Sequence, residues 1–210
     1  VRPEAVHANG SGFTHFRYLD KELRVPIMGR HHLPNCLATI AVARVFGLPA
    51  EQIKEGIESF QPDGLRMAGD RVNGVTIIND AYNANPTSMA AALETIADIT
   101  VSGKRVALLG DMLELGEDAE LYHMELGSKL SSNRCDHVIL TGEFAELVRR
   151  AAVKTGMSEA AVEVIGNRND IVRRLLELLH PGDLLLVKAS RALQLEKVVE
   201  AVRPQAGREN

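Results

Sequence analysis

The stretch IINDAYNANPTSMAAAL, residues 77–93, contains a change from strand to helix that decides how the rest of the chain is interpreted. Apolar residues precede Asp80, and an alanine-rich segment follows Pro86. Asparagine is a favourable helix N-cap and proline is favoured at the first helical position, so a helix is expected to start at residue 86. The corner between strand and helix carries four polar side chains: Asp80, Tyr82, Asn83 and Asn85. Capping accounts for Asn85 but not for the other three.

The same alternation of strand and helix continues through the chain. Apolar strands are expected at GVTIIND, RVALLGD, HVILTG, VEVIG and DLLLVK, followed by helices over 86–98, 118–131, 143–155, 168–179 and 191–202. This order predicts an α/β fold: a Rossmann-like, mostly parallel sheet with helices on both faces. The dipeptide Asn73-Gly74 predicts a hairpin that adds one antiparallel strand in front of the sheet.

The first 63 residues have a different pattern. Their first 25 residues are predicted to form a pair of β-strands. A helix follows, with Pro34 in its first turn, an apolar stretch over Leu37–Phe46 and Gly47 at its C-cap, and a second short helix is expected in PAEQIKEGIESF. The turn QPDG at 61–64 then marks a domain boundary, which divides the chain into 1–63 and 64–210. Two strands and two helices bury little area, so residues 1–63 are expected to be the tail of a larger domain. The start at Val1, without methionine, also suggests a fragment.

Composition excludes several classes of function. A net charge of −4, 4% aromatic residues and no tryptophan do not favour nucleic-acid binding. No apolar run approaches the roughly 20 residues of a membrane span, and no signal peptide is visible. Cys36 and Cys135 are far apart in sequence and are expected to be free thiols in a reducing compartment. We therefore expect a cytoplasmic protein with no nucleic-acid or membrane partner.

Ligands of open parallel sheets bind beyond the carboxyl ends of the strands, and polar residues follow every predicted strand here. Asp80 would be costly at the end of a buried strand unless it met a ligand hydroxyl, a metal or a base. Lys188 and Arg191 could bind an anion at a helix N-terminus, or could be ordinary surface residues. Asp111 and Glu114 could bind a ligand amine or simply cap the next helix.

Several well-known sites are absent from the sequence. No strand is followed by G-x-G-x-x-G, and neither a P-loop nor a G-x-S-x-G elbow occurs. His31 and His32 are adjacent, which suits chelation poorly, and no shared spacing links the other histidines. No metal site is therefore expected within this chain.

Five strings in order, GRHHLPNCLATIAVA, DGLRM, INDAYNANPTSMAAAL, LLGDMLELGEDAELYH and VKASRALQLEKVV, resemble the Mur ligase family. The resemblance extends from residue 1 to about 203 and corresponds to the end of the central ATPase domain and the C-terminal domain. It implies an ATP-dependent amide ligase of peptidoglycan synthesis, with roles in cell-wall biogenesis, cell shape and cell division. The strings YNANP-SM and LGDM-ELG are most similar to members that add D-Ala-D-Ala to a UDP-N-acetylmuramoyl-tripeptide.

The resemblance also implies four nucleotide contacts. Asn35 matches an asparagine that contacts adenine, and His32 stands where the family often has another asparagine. Arg66 matches an arginine near the ATP phosphates, and Asp80 matches an aspartate that holds the nucleotide through its ribose.

Eight residues would contact the substrates by the same resemblance. Tyr82, Asn83 and Asn85 would line the cleft, while Lys188, Ser190 and Arg191 match a KGSR-like string on the acceptor side. Ala189 replaces the usual glycine of that string. Asp111 and Glu114 belong to a family string without assigned roles.

The catalytic residues that the resemblance implies would lie outside this chain. The P-loop lysine, the Mg²⁺ ligands and the modified lysine of the family are expected upstream of Val1, in the missing N-terminal and central domains. The isolated chain is therefore expected to contain no catalytic residue and to be inactive.

Three alternatives remain open from the sequence. The chain could come from another Mur ligase or from a folylpolyglutamate synthase, although GDM-ELG argues against both. It could also be a non-catalytic Rossmann-like binding module. A scaffold protein has little support, since no exposed apolar stripe is evident.

Overall fold

A computed structural model describes residues 4–9, 13–18, 20–61 and 66–203. The predicted boundary between residues 63 and 64 lies outside these described residues, as does most of the QPDG turn. None of the described helices is long and apolar enough to cross a membrane.

The N-terminal part is an antiparallel sheet covered by two helices. Its strands are β1 (Glu4–Asn9), β2 (Phe13–Tyr18) and β3 (Lys21–Val25), in the order β1-β2-β3. The sequence predicted two strands, and the structure has three. The helices α1 (Leu33–Val45) and α2 (Ala50–Glu58) pack on the sheet. Ile40, Ile53 and Ile57 form a small core with Phe16 and Leu23.

The second part contains the predicted α/β sheet of six strands, in the order β4-β5-β9-β6-β7-β8. The antiparallel β4 (Ala68–Val72) joins β5 (Val75–Asp80) through Asn73 and Gly74, which both have positive φ. The other strands are parallel to β5. They are β6 (Arg105–Leu109), β7 (His137–Leu140), β8 (Val162–Val164) and β9 (Leu184–Lys188). The predicted fold class and the predicted hairpin are confirmed.

Helices cover both faces of this sheet. On one face α3 (Pro86–Asp98), α4 (Ala119–Leu130) and α5 (Ala145–Lys154) enclose the larger core. On the other, α6 (Arg168–Leu178) and α7 (Glu196–Val202) enclose a second core. Every residue of β9 is buried, because this strand lies between β5 and β6 under both layers.

The last helix starts later than predicted. A helix was expected over 191–202, but Arg191–Leu193 forms a short 3-10 turn and Gln194 adopts a left-handed conformation with φ of 51°. The helix α7 therefore begins only at Glu196, and Arg191 does not occupy its first turn.

Candidate functional site

The carboxyl ends of β5, β9 and β6 bring three polar loops together at one edge of the sheet. Lys188 at the end of β9 is paired in register with Asp80 of β5 on one side and with Leu109 of β6 on the other. We call this edge the rim, defined by the loops that follow Asp80, Leu109 and Lys188. The rim brings together Asp80, Lys188 and, by way of Tyr82, Arg66.

Asp80 has a base as its partner. The Lys188 Nζ donates to Asp80 Oδ2 at 2.5 Å and to the Asn83 carbonyl at 2.9 Å. The other Asp80 oxygen, Oδ1, accepts the Met67 backbone N–H at 3.1 Å. The Lys188 side chain is only 2% exposed and that of Asp80 is 13% exposed. The ion pair therefore compensates for burying both charges, and it leaves Lys188 little surface for a ligand.

Arg66 and Tyr82 form a second contact at the rim. The Arg66 guanidinium carbon lies 3.8 Å from the Tyr82 ring centroid, which is a cation–π arrangement. Both residues are exposed, so the guanidinium keeps donors that can reach an anion.

Asn85 is the N-cap of α3. Its Oδ1 accepts the Ser88 N–H at 2.8 Å, and the Ser88 hydroxyl accepts the Asn85 N–H at 3.1 Å, which forms a capping box. The helix start predicted at residue 86 is confirmed. The neighbouring Asn83 Oδ1 accepts the Ala84 N–H at 2.8 Å.

Asp111 fixes the neighbouring loop. Its Oδ2 accepts the Glu143 N–H at 2.7 Å and its Oδ1 accepts the Phe144 N–H at 3.1 Å, just before α5. Asp111 therefore binds the start of α5 and does not cap α4, the next helix in the chain, so neither alternative left open by the sequence describes these contacts. Glu114 is exposed and has a φ of 63°, a strained conformation for a residue with a side chain.

Ser190 and Arg191 also have partners within the chain. The Ser190 hydroxyl accepts the Leu113 N–H at 2.8 Å. The Arg191 guanidinium forms an ion pair with Glu196 at 2.7 Å, and its side chain remains 53% exposed.

His123 is a residue of this region that sequence reasoning missed. It is 1% exposed, and its Nε2 accepts the Met112 N–H at 3.0 Å. The Nδ1 therefore carries the proton and donates to the Ala119 carbonyl at 2.7 Å. The sequence showed only a histidine on an amphipathic helix, because its partner Met112 becomes a neighbour through the loop that precedes α4.

His32 and Asn35 line a separate cavity of about 240 Å³ in the N-terminal part. Its other lining residues include Val25, Ile27 and Phe60, so its walls are mainly apolar. Burial, together with the charges of His31, Lys188 and Arg66, lowers the pKa of His32 to about 4. The buried His32 Nε2 has no hydrogen-bond partner among the described residues. A neutral imidazole with a free nitrogen in an apolar cavity suits a flat heterocyclic ligand.

The titratable side chains that the structure describes show no metal centre. No cluster of three or more His, Cys, Asp or Glu that could hold an ion occurs within the described ranges. Burial raises the pKa of the Cys135 thiol to about 12 and also raises that of Cys36, which makes both poor metal ligands. Within the described ranges, no cluster of side chains is therefore present that would hold Mg²⁺ without the phosphates of a bound nucleotide.

Comparison with known proteins gives one family. Residues 65–191 match the family model described as Mur ligase, glutamate ligase domain. UDP-N-acetylmuramoyl-tripeptide–D-alanyl-D-alanine ligase from Bacillus subtilis is 35% identical over 89% of this chain and 41% of its own length. The ligase of the same name from Treponema pallidum is 36% identical over 90% of this chain and 40% of its own length. The chain thus spans about two fifths of these relatives.

Solved structures agree with this result. MurF from Acinetobacter baumannii superposes with a TM-score of 0.84 and 25% identity, over 96% of this chain and 45% of that one. MurF from Thermotoga maritima in complex with ADP gives a TM-score of 0.80 and 25% identity, over 97% of this chain and 46% of that one.

Proposed function

Because this chain belongs to the Mur ligase family, we propose that it is the C-terminal part of a ligase that uses ATP to join D-Ala-D-Ala to a UDP-N-acetylmuramoyl-tripeptide. The observation that carries this proposal is the rim of Asp80, Arg66 and Lys188, since the charges of Lys188 and Arg66 act on the His32 ring of the cavity. The names of the Bacillus and Treponema relatives support the choice of substrates.

The nucleotide would be held by residues of both parts of the chain. The free Nε2 of His32 can accept a hydrogen bond from an exocyclic amino group of adenine, and the Asn35 amide can pair with the same ring. Asp80 keeps lone pairs for a ribose hydroxyl after binding Met67 and Lys188. Arg66 is exposed and can donate to phosphate oxygens.

In the proposed reaction the tripeptide carboxylate takes the γ-phosphoryl group of ATP. The amino group of D-Ala-D-Ala then attacks the acyl phosphate, and phosphate leaves as the amide forms. This chain would contribute positive charge near the transferred group and a cleft for the substrates, lined by Tyr82, Asn83, Asn85 and Glu114. The P-loop and the Mg²⁺ ligands would come from the rest of the protein, and a nucleotide-linked substrate suits the cytoplasm.

The test is a substrate panel with the full-length protein. Repeated turnover of ATP to ADP should require both the UDP-linked tripeptide and D-Ala-D-Ala. Arg66→Ala should raise the KM for ATP by roughly tenfold to a hundredfold, because a charged hydrogen bond is lost. Arg173→Ala, which removes an exposed arginine paired with Asp170, is the control and should have no effect.

Two results would overturn the proposal. Product formed with glutamate or a diamino acid as the acceptor would indicate another Mur ligase or a folylpolyglutamate synthase. Absence of ADP with every acceptor would favour a non-catalytic binding module.

A further inference from the structure

The string after β9 occupies a particular place in the sheet. β9 lies between β5 and β6, so residues 188–190 run between the two loops that follow these strands. Lys188, Ala189 and Ser190 are 2%, 0% and 5% exposed. The string from Lys188 to Arg191 was expected to contact the acceptor, but its first three residues have almost no exposed surface.

Lys188 holds the loop on the β5 side. Its ammonium group binds both the Asp80 carboxylate and the Asn83 carbonyl. Asp80 in turn accepts the N–H of Met67, a residue with a strained φ of 47° and a side chain that is 2% exposed. Met67 directly follows Arg66, so the hydrogen bonds that link Lys188, Asp80 and Met67 fix the position of the backbone that carries the Arg66 side chain.

Ser190 holds the loop on the β6 side. Its hydroxyl accepts the Leu113 N–H at 2.8 Å, and its own N–H donates to the Asp111 carbonyl at 3.0 Å. Leu113 precedes Glu114, the exposed residue in a left-handed conformation. The two Ser190 bonds thus fix the loop that presents the Glu114 carboxylate.

We propose that Lys188 and Ser190 are positioning residues, which orient Arg66 and Glu114 from the buried centre of the rim and do not contact a substrate. The identity of the ligands at the rim rests on the proposed function, whereas the hydrogen bonds of Lys188 and Ser190 do not depend on it. Two buried residues of one strand end would then set the geometry of two separate ligand contacts, one on each side.

Backbone amide exchange measured by NMR on the 210-residue chain tests the contacts without any activity. Lys188→Met should speed exchange of the Met67 N–H by at least about tenfold, and Ser190→Ala should do the same for Leu113. The controls are Lys154→Met and Ser128→Ala, which change exposed side chains on α5 and α4 and should leave both amides unchanged. Unchanged exchange in Lys188→Met and Ser190→Ala would overturn the proposal.

Kinetics of the full-length ligase distinguish positioning from direct contact. Lys188→Met should raise the KM for ATP on the order of tenfold and leave the KM for D-Ala-D-Ala unchanged. Ser190→Ala should raise the KM for D-Ala-D-Ala on the order of tenfold and leave the KM for ATP unchanged. A change that only destabilised the fold would lower kcat and leave both KM values unchanged.

The second arm is a double-mutant cycle. If Lys188 acts through Asp80, Lys188→Met should change the KM for ATP less than about twofold in an Asp80→Asn background. The double variant also avoids leaving a buried carboxylate unpaired, so it provides a folded protein if the single variant does not fold. Equal losses in both backgrounds would show that Lys188 does not act through Asp80, and would overturn the proposal. An inactive wild-type ligase would defeat the proposed function while leaving the exchange result valid.

Discussion

Asn85 shows how one residue at the rim can have a structural duty that sequence alone leaves open. Its side chain and that of Ser88 satisfy each other's backbone N–H groups, so the start of α3 depends on this residue. Asn167 provides a matched case on α6, where its Oδ1 accepts from Asn169 and Asp170.

We predict that Asn85→Ala and Asn167→Ala each lower the free energy of unfolding by about 1 kcal/mol, because each removes an N-cap. Urea denaturation of the 210-residue chain measures both. Asn85→Asp should restore stability, because aspartate also caps helices. A variant Asn85→Ala as stable as the wild type would mean that the capping box adds nothing and that Asn85 is kept for ligand binding.

His32 makes stability depend on pH. Its pKa is lowered to about 4 in the folded chain, chiefly by burial, while an unfolded histidine titrates near 6.5. Between these values the unfolded state binds the proton and the folded state does not, so stability falls as pH decreases from about 6.5 towards 4.

We predict that His32→Gln removes part of this acid destabilisation. The difference should amount to about 1–2 kcal/mol between pH 7 and pH 4, after allowance for the partial exposure of the ring. His31, whose pKa is also lowered by burial, should retain the rest. Urea unfolding at several pH values measures this difference. If the free energy of unfolding of His32→Gln depends on pH in the same way as that of the wild type, His32 is not a source of the acid destabilisation.

The identity of the rim residues was predictable, whereas the direction of their side chains was not. Asp80, Lys188 and Ser190 follow apolar strands, and the parallel-sheet rule places such residues on one edge. Lys188 points inwards because it binds Asp80. Asp80 is 108 positions earlier in the chain, and the strand order β5-β9-β6 is what makes the two residues neighbours. A one-dimensional pattern contains no information on that order.

At the scale of elements, α4 and α5 pack against each other closely at Gly127. A Cβ on this residue would lie 2.4 Å from the Val148 carbonyl oxygen and 2.7 Å from the Ala151 Cβ. The first of these atoms belongs to the backbone of α5 and cannot move aside cheaply. Gly56 in α2 has the opposite surroundings, since a Cβ there would meet nothing within 4 Å.

We predict that Gly127→Ala lowers the free energy of unfolding by about 1–3 kcal/mol, because overpacking outweighs the better helix propensity of alanine. Gly56→Ala should instead raise it by about 0.5–1 kcal/mol, since only the propensity changes. Thermal and urea unfolding measure both variants. Equal signs for the two substitutions would show that the helix–helix contact at Gly127 is not as close as described.

The elements with local start signals were predicted best. The helix over 86–98 agrees at both ends because Asn85 and Pro86 are a cap and a first-turn proline. The start of the helix expected over 191–202 was wrong, because Gln194 has a left-handed conformation and α7 begins only at Glu196. The helical spacing of the buried residues Leu195, Val198, Val199 and Val202 gives no sign of this interruption. Periodicity identifies the buried face but does not detect a left-handed residue that carries a side chain.

At the scale of the whole molecule, the N-terminal part exposes a group of large apolar side chains. Four residues at the end of α1 and in the following turn form what we call the α1 apolar face: Val42, Val45, Phe46 and Leu48. Val45 and Phe46 are 86% and 80% exposed. Apolar patches of this kind are normally covered by another surface. The expectation that residues 1–63 belong to a larger domain supplies such a surface, since the relatives are more than twice as long as this chain.

We predict that the 210-residue chain self-associates as its concentration rises and binds a hydrophobic dye, and that the double variant Val45→Glu/Phe46→Glu does neither. Sedimentation velocity and dye fluorescence measure these properties. Leu121→Glu changes a single exposed leucine on α4 and should leave association unchanged. In the full-length protein the same double variant should cost about 3 kcal/mol or more of stability, because two carboxylates would enter a buried contact. If the double variant is neutral in both settings, α1 faces solvent in the whole protein, and residues 1–63 do not need a larger domain to cover them.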